Sequence, residues 1–122
     1  MSYKAQVTGQ FNLIDESTTA SYDTYLLPDS FGTITNITHR VENERTLIVG
    51  DGVVALPTGG LTAIQGIMLT VSGTGTVTFK HDGNAAGMDI SSGMLIFGNF
   101  TAPTIETTSV TALTVKYVMF GT

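Results

Sequence analysis

The residue types that most often carry out chemistry are few in this sequence and lie far apart. Its two histidines, His39 and His81, each fall at the end of a predicted strand and beside a turn. The chain contains no cysteine, which excludes a disulfide, a thiolate metal site and a cysteine nucleophile. A catalytic site needs a nucleophile or a metal together with an activating base, and the sequence offers no such pair. We therefore expect a protein that is not an enzyme and has no catalytic residues.

The acidic residues and glycines are poor candidates for a metal or nucleotide site. Asp82-Gly83-Asn84 could supply oxygen ligands to Ca²⁺, but it lacks the regular acidic spacing of a calcium loop and suits a hairpin turn. Asp51 and Asp89 are isolated acids, so a glycosidase pair would require distant carboxylates to converge. Gly59-Gly60 neither opens a helix nor precedes a phosphate-binding lysine. We expect no metal and no cofactor.

Charged residues are scarce throughout the chain. Five basic and ten acidic residues give a net charge of −5, and only 12% of positions are charged, about half the usual share of roughly 25%. An acidic chain without basic clusters binds phosphate backbones poorly, so we expect no nucleic-acid partner. No apolar stretch predicts a signal peptide or a membrane span, so we also expect no membrane partner. Threonine occupies 21 positions and suits exposed β-sheets.

Alternation of apolar and polar residues recurs along the chain and predicts an all-β fold. A first strand is predicted from Tyr3 to Leu13, and a second from about Phe31 to His39, where a slip in phase suggests a bulge. A hairpin is predicted around Gly50-Asp51-Gly52, joining 46–49 to 53–56. Turn signals about 8 to 12 residues apart favour a sandwich. We predict one domain over residues 1–122, a jelly-roll-like antiparallel β-sandwich of about eight strands with little or no helix.

The final segment, Val110 to Thr122, has the clearest strand pattern. Leu113, Val115, Tyr117 and Met119 share one face, which is apolar. The opposite face also carries two apolar residues, Val118 and Phe120. Such a strand is either central in the sandwich or covered by another subunit. Val118 and Phe120 are therefore predicted interface residues of a homo-oligomer, a trimer or a dimer.

The segment from Asp15 to Ser30 departs from the strand pattern. It contains four acidic and no basic residues and has no clean period of two. A solvated long loop is one interpretation. The other is an arm that docks on a neighbouring subunit, because four large residues fall within six positions. These predicted contact residues are Tyr22, Tyr25, Leu26 and Leu27.

The second half of the chain resembles the small β-sandwich virion proteins of tailed bacteriophages. The similar features are a strand that closes in a Asp-Gly-Asn turn (residues 82–84), an Ile-Ser-Ser-Gly step before a strand (residues 90–93), and a final strand of the type Val-Thr-Ala-Leu-Thr-Val (residues 110–115). Such patterns recur among capsid decoration (cement) proteins and related tail or fibre modules. The resemblance carries no diagnostic motif and assigns no residue a function.

The resemblance implies a structural role. Phage decoration proteins of this kind are not enzymes, assemble in the host cytoplasm, form dimers or trimers, and clamp neighbouring subunits of the major capsid protein. The expected function is thus a capsid decoration protein on the virion surface that self-associates and binds the major capsid protein lattice. Two alternatives stay open: a tail, baseplate or fibre module, and a host-surface carbohydrate-binding module that uses Tyr22, Tyr25 and the polar turns.

Overall fold

The described part of the protein contains twelve strands and one 3₁₀ turn. The structure is a computed structural model that describes residues 2–14, 17, 21–26, 34–83 and 85–122. The first four strands lie outside the main sheets: β1 Tyr3–Ala5, β2 Gln10–Ile14, β3 Ser21–Leu26 and β4 Ile34–Ile37. The other eight follow in order: β5 His39–Leu47, β6 Val54–Ala55, β7 Ile64–Ser72, β8 Val77–Lys80, β9 Met88–Ile90, β10 Gly93–Phe100, β11 Thr104–Glu106 and β12 Leu113–Gly121.

Strands β5 to β12 form an antiparallel sandwich of two four-stranded sheets. The first sheet has the order β10-β7-β12-β5, and the second has the order β6-β11-β8-β9. The pairing is nested: β5 pairs with β12, β6 with β11, β7 with β10 and β8 with β9. A long hairpin of four strand pairs, rolled so that alternate pairs fall in opposite sheets, is a jelly roll. The fold predicted from the sequence is therefore confirmed.

The core between the two sheets consists of the inward-facing residues of every long strand. On β12 the predicted face is buried, with Leu113, Val115 and Met119 fully inaccessible and Tyr117 2% exposed. Each such aliphatic side chain contributes about 1.5–3 kcal/mol on burial. The second sheet contributes Val77, Phe79, Ile90 and Ile105 to the same cluster.

The predicted hairpin around Gly50-Asp51-Gly52 is wrong. Val49–Asp51 forms a 3₁₀ turn, and the flanking strands β5 and β6 belong to different sheets. The Ile48 N–H donates to the Asp51 carboxylate at 3.0 Å, and the Asp51 N–H donates to the Ile48 carbonyl at 2.9 Å. This turn carries the chain across the sandwich, a step that local alternation on its two sides does not encode.

The predicted first strand is divided in two. Residues 6–9 separate β1 from β2, and Gly9 has a φ of 119°, a conformation that glycine adopts without strain. Strand β1 pairs with β4, and β2 pairs with β3, so the two halves lie in different two-stranded sheets. The slip in phase expected within the predicted second strand, about Phe31 to His39, falls at Asn36, whose φ is 62°.

Candidate functional site: the outer face of the first sheet

The solvent-facing side of the first sheet carries a contiguous group of apolar side chains. On β12, Val118 lies directly opposite Met68 of β7, and Phe120 lies opposite Gly66. Strand β10 extends both rows, because Leu95 lies opposite Met68 and Phe97 lies opposite Gly66. Residues that face each other across neighbouring strands lie on the same side of the sheet. We refer to the five apolar residues of these two rows as the outer patch: Met68, Leu95, Phe97, Val118 and Phe120.

Gly66 allows two aromatic rings to meet across the middle strand. The centroids of the Phe97 and Phe120 rings are 5.7 Å apart at an interplanar angle of 62°, an edge-to-face arrangement. A Cβ atom at Gly66 would collide with the Phe120 ring. The glycine is buried although it lies on the outer side, because the ring covers it. Phe120 therefore packs partly within its own chain.

The remaining part of the outer patch is open to solvent. Met68 is 48% exposed and Leu95 is 44% exposed, whereas Phe97, Val118 and Phe120 are partly covered. Isolated apolar residues on a surface are normal and require no explanation. A contiguous group is different, since large exposed apolar patches mark interaction sites. The outer patch is thus the best candidate functional site of the described residues.

Charged residues border the outer patch along strand β5. Glu42 lies opposite Val118, and Arg40 lies opposite Phe120. The neighbouring row holds Glu44 and Lys116, whose charged groups are 3.8 Å apart and well exposed. A surface pair of this kind contributes about 0–1 kcal/mol. The arrangement resembles the centre and rim of a protein interface, apolar inside and polar at the edge.

A groove of about 680 Å³ adjoins the patch where β1 approaches the first sheet. Val118 and Phe120 form one part of its lining, and Ile37 contributes a further apolar side chain. Tyr3, which is 58% exposed, and the cationic Lys4 line the opposite part. The groove therefore extends the apolar surface toward the N-terminal strands.

The residues predicted from the sequence as contact residues are not all in one place. The structure brings Val118 and Phe120 together in the outer patch. Tyr22, Tyr25 and Leu26 belong to β3, which pairs with β2 in a separate two-stranded sheet, and Leu27 lies outside the described residues. Strand β3 thus lies within the segment that was predicted to be an arm or a long loop. Its role in binding a partner stays a prediction.

The sequence patterns did not predict Met68, Leu95 or Phe97 as contact residues. Met68 occupies an outward position of β7, between the inward Ile67 and Leu69, so a strict alternation count contained the signal. Leu95 and Phe97 belong to an unbroken apolar run, from which the exposed face cannot be told.

The side chains considered above for catalysis or metal binding make local contacts with neighbouring residues. His81 Nε2 lies 3.5 Å from an Asp82 carboxylate oxygen, and both side chains are substantially exposed. The Asp89 carboxylate accepts a hydrogen bond from the Thr78 hydroxyl at 2.9 Å across the second sheet. Within the described ranges, no three His, Asp or Glu residues are grouped closely enough to hold a metal ion.

One buried ionisable group lies beneath the first sheet. The Tyr117 hydroxyl has no hydrogen-bond partner within the described residues. Burial raises the pKa of Tyr117 above its ordinary value of 10.0, and the adjacent Asn43 and Arg45 side chains oppose that effect in part. Because the Tyr117 side chain belongs to the core cluster between the two sheets, its ionisation bears on stability.

Comparisons with known proteins gave no match to a family model, to a curated protein or to a solved structure. In the portion of the chain that the structure describes, no helix is long and apolar enough to cross a membrane.

Proposed function

We propose that this protein is a structural virion protein, a capsid decoration protein that self-associates and binds the major capsid protein lattice of a tailed phage. The observation that supports it most is the outer patch, an apolar surface formed by three adjacent strands of one sheet. A docking surface on a sheet has fixed geometry, which suits attachment to a repeated lattice. The resemblance of residues 60–122 to phage virion proteins gives the proposed partner.

The chemistry of the patch suits a protein partner. Met68, Leu95 and Val118 provide apolar contact area, and the aromatic pair Phe97 and Phe120 lies beside them. Methionine and aromatic residues are enriched where proteins bind one another. Charged residues make up only 12% of the chain, so it offers more apolar area than charge for contact with a partner.

Co-sedimentation of the purified protein with heads of the phage that encodes it tests the proposal. The wild type should pellet with heads at a saturable ratio. Met68→Asp places a charge in the open part of the patch and should abolish most of the binding, because a desolvated unpaired carboxylate costs several kcal/mol. Thr104→Asp, on the second sheet, is the matched control and should bind like the wild type.

Each alternative result has a distinct meaning. Failure of the folded wild type to pellet with heads would contradict the decoration function. Binding to purified tails in place of heads would favour the tail or fibre module. Equal binding by wild type and Met68→Asp would mean that the outer patch is not the attachment surface.

A further inference from the structure

The four edges of the two four-stranded sheets differ in how they are protected against pairing with other chains. Exposed edge strands present unpaired backbone groups, and proteins protect them with charge or by making the strand short. In the second sheet, the edge strands β6 and β9 contain two and three residues. In the first sheet, β5 is nine residues long but carries charged side chains along most of its length. Three edges are thus protected.

Strand β10, the remaining edge, lacks both forms of protection. It runs for eight residues, Gly93–Phe100, without a charged side chain. Its pairing with β7 is regular from Gly93 to Phe97 and irregular beyond that residue. Within the described parts of the chain, no other strand pairs with its open side. The segment 93–97 therefore forms an uncharged, regular edge.

Hydrogen bonding to β7 fixes which backbone groups of β10 face outward. The Val71 N–H donates to the Ser92 carbonyl at 2.7 Å, so Ser92 directs its backbone groups toward β7. In an antiparallel ladder this direction alternates from one residue to the next. The N–H and carbonyl groups of Gly93, Leu95 and Phe97 consequently point away from β7, toward the open side.

We propose that β10 pairs antiparallel with β10 of a second copy, with the two-fold axis at Leu95. In this register Leu95 faces the same residue of the other copy, and Gly93 faces Phe97 in both directions. All three pairs then have outward backbone groups on both strands, so each forms two N–H···O bonds. The result is a continuous eight-stranded sheet across the dimer.

Two features of β10 favour a second copy as the occupant. The register sets each Phe97 ring opposite a glycine, which repeats the arrangement of Phe97 opposite Gly66 within the chain. Copies with a net charge of −5 repel each other, and this uncharged edge is where they approach with least repulsion. An isologous contact also closes on itself and gives a dimer, not a fibre.

The pairing joins the two outer patches into one surface. Leu95 and Phe97 are the patch residues on the edge strand, and in the dimer Leu95 meets its own copy, with Met68 on either side. This inference rests on the self-association part of the proposed function and specifies the surface that carries it. Its test uses the free protein without phage heads, so its failure and the failure of lattice binding are separate results.

Sedimentation equilibrium over a micromolar concentration range tests the pairing. The wild type should approach twice the monomer mass of 12.8 kDa. Leu95→Lys sets two like charges directly opposite each other and should remain monomeric with an unchanged circular dichroism spectrum. Met68→Lys is the matched control, one strand inside the edge and similarly exposed, and should still dimerise. A monomeric wild type, a dimeric Leu95→Lys or a monomeric Met68→Lys would overturn the proposal.

A charge exchange tests the register. Leu95→Glu should be monomeric alone, but an equal mixture with Leu95→Lys should form a heterodimer, since residue 95 of one copy faces residue 95 of the other. Formation of the heterodimer would also show that both variants are folded. If the mixture stays monomeric while the wild type dimerises, the two-fold axis is not at Leu95 and the proposed pairing is wrong.

Discussion

At the scale of single residues, Gly66 determines how the outer patch is built. It is the one position of the Phe97-Gly66-Phe120 row without a side chain, and the Phe120 ring occupies the space above it. A ring placed over a strand glycine restores contact area that glycine does not provide. Gly66 therefore matters both for stability and for the shape of the outer patch.

Replacing Gly66 with alanine should destabilise the fold by about 1–3 kcal/mol, because the new Cβ forces the Phe120 ring out of its position. Urea unfolding gives the free energy directly. Gly98→Ala is the control, since a Cβ there meets no described atom within 4 Å. In a Gly66→Ala/Phe120→Leu double variant the cost should be smaller than the sum of the single costs. Strict additivity would mean that the ring is not the cause.

Tyr117 should make stability depend on pH above about 10. Its pKa is raised by burial, so the folded chain keeps the phenolic proton at pH values where the unfolded chain has lost it. The unfolded state then binds fewer protons, and stability falls as pH rises above 10. Tyr117→Phe should remove that decline and change stability at pH 7 by less than about 1 kcal/mol, because the hydroxyl is unpaired.

Urea unfolding at pH 7 and at pH 10.5 measures both effects. Tyr3→Phe, which alters an exposed ring, is the control and should leave the decline in place. A decline that persists in Tyr117→Phe would assign it to another group.

At the scale of elements, strands with strict alternation could be predicted from the sequence, but the strands with which they pair could not. The alternation of residues in β12 correctly predicted its buried face, from Leu113 to Met119. The segment around Asp51 was misassigned because a hairpin and a crossing between sheets have the same local sequence signals, glycines flanked by β-branched residues. Long-range strand pairing distinguishes a hairpin from a crossing between sheets. Here Leu47 pairs with Leu113 in the first sheet, and Val54 pairs with Ile105 in the second.

The hairpin of β2 and β3 gives a test of the predicted arm. It forms its own two-stranded sheet, and an isolated two-stranded hairpin is marginally stable in water. We expect amide exchange in the free protein to be fast for 21–26 and slow for 113–121. Deletion of residues 15–27 should leave the sandwich folded and weaken attachment to heads. Equal protection of the two segments, measured by hydrogen exchange, would show that β3 is part of the stable core and not an arm.

At the scale of the whole molecule, the nested pairing assembles a surface that no single segment contains. The outer patch takes Met68 from β7, Leu95 and Phe97 from β10, and Val118 and Phe120 from β12. Val118 and Phe120 could be predicted from the sequence because their strand has an apolar second face, and strict alternation along β7 also marks Met68 as outward. Leu95 and Phe97 become part of the site through strand order, which depends on long-range contacts.

The most direct test of the proposed attachment is a cryo-electron microscopy reconstruction of the phage particle that we propose carries this protein. The account predicts repeated density for the jelly roll on the outside of the head, with the outer patch of the first sheet against the major capsid protein. Density confined to the tail, or attachment through the second sheet with Met68 and Val118 facing solvent, would contradict it.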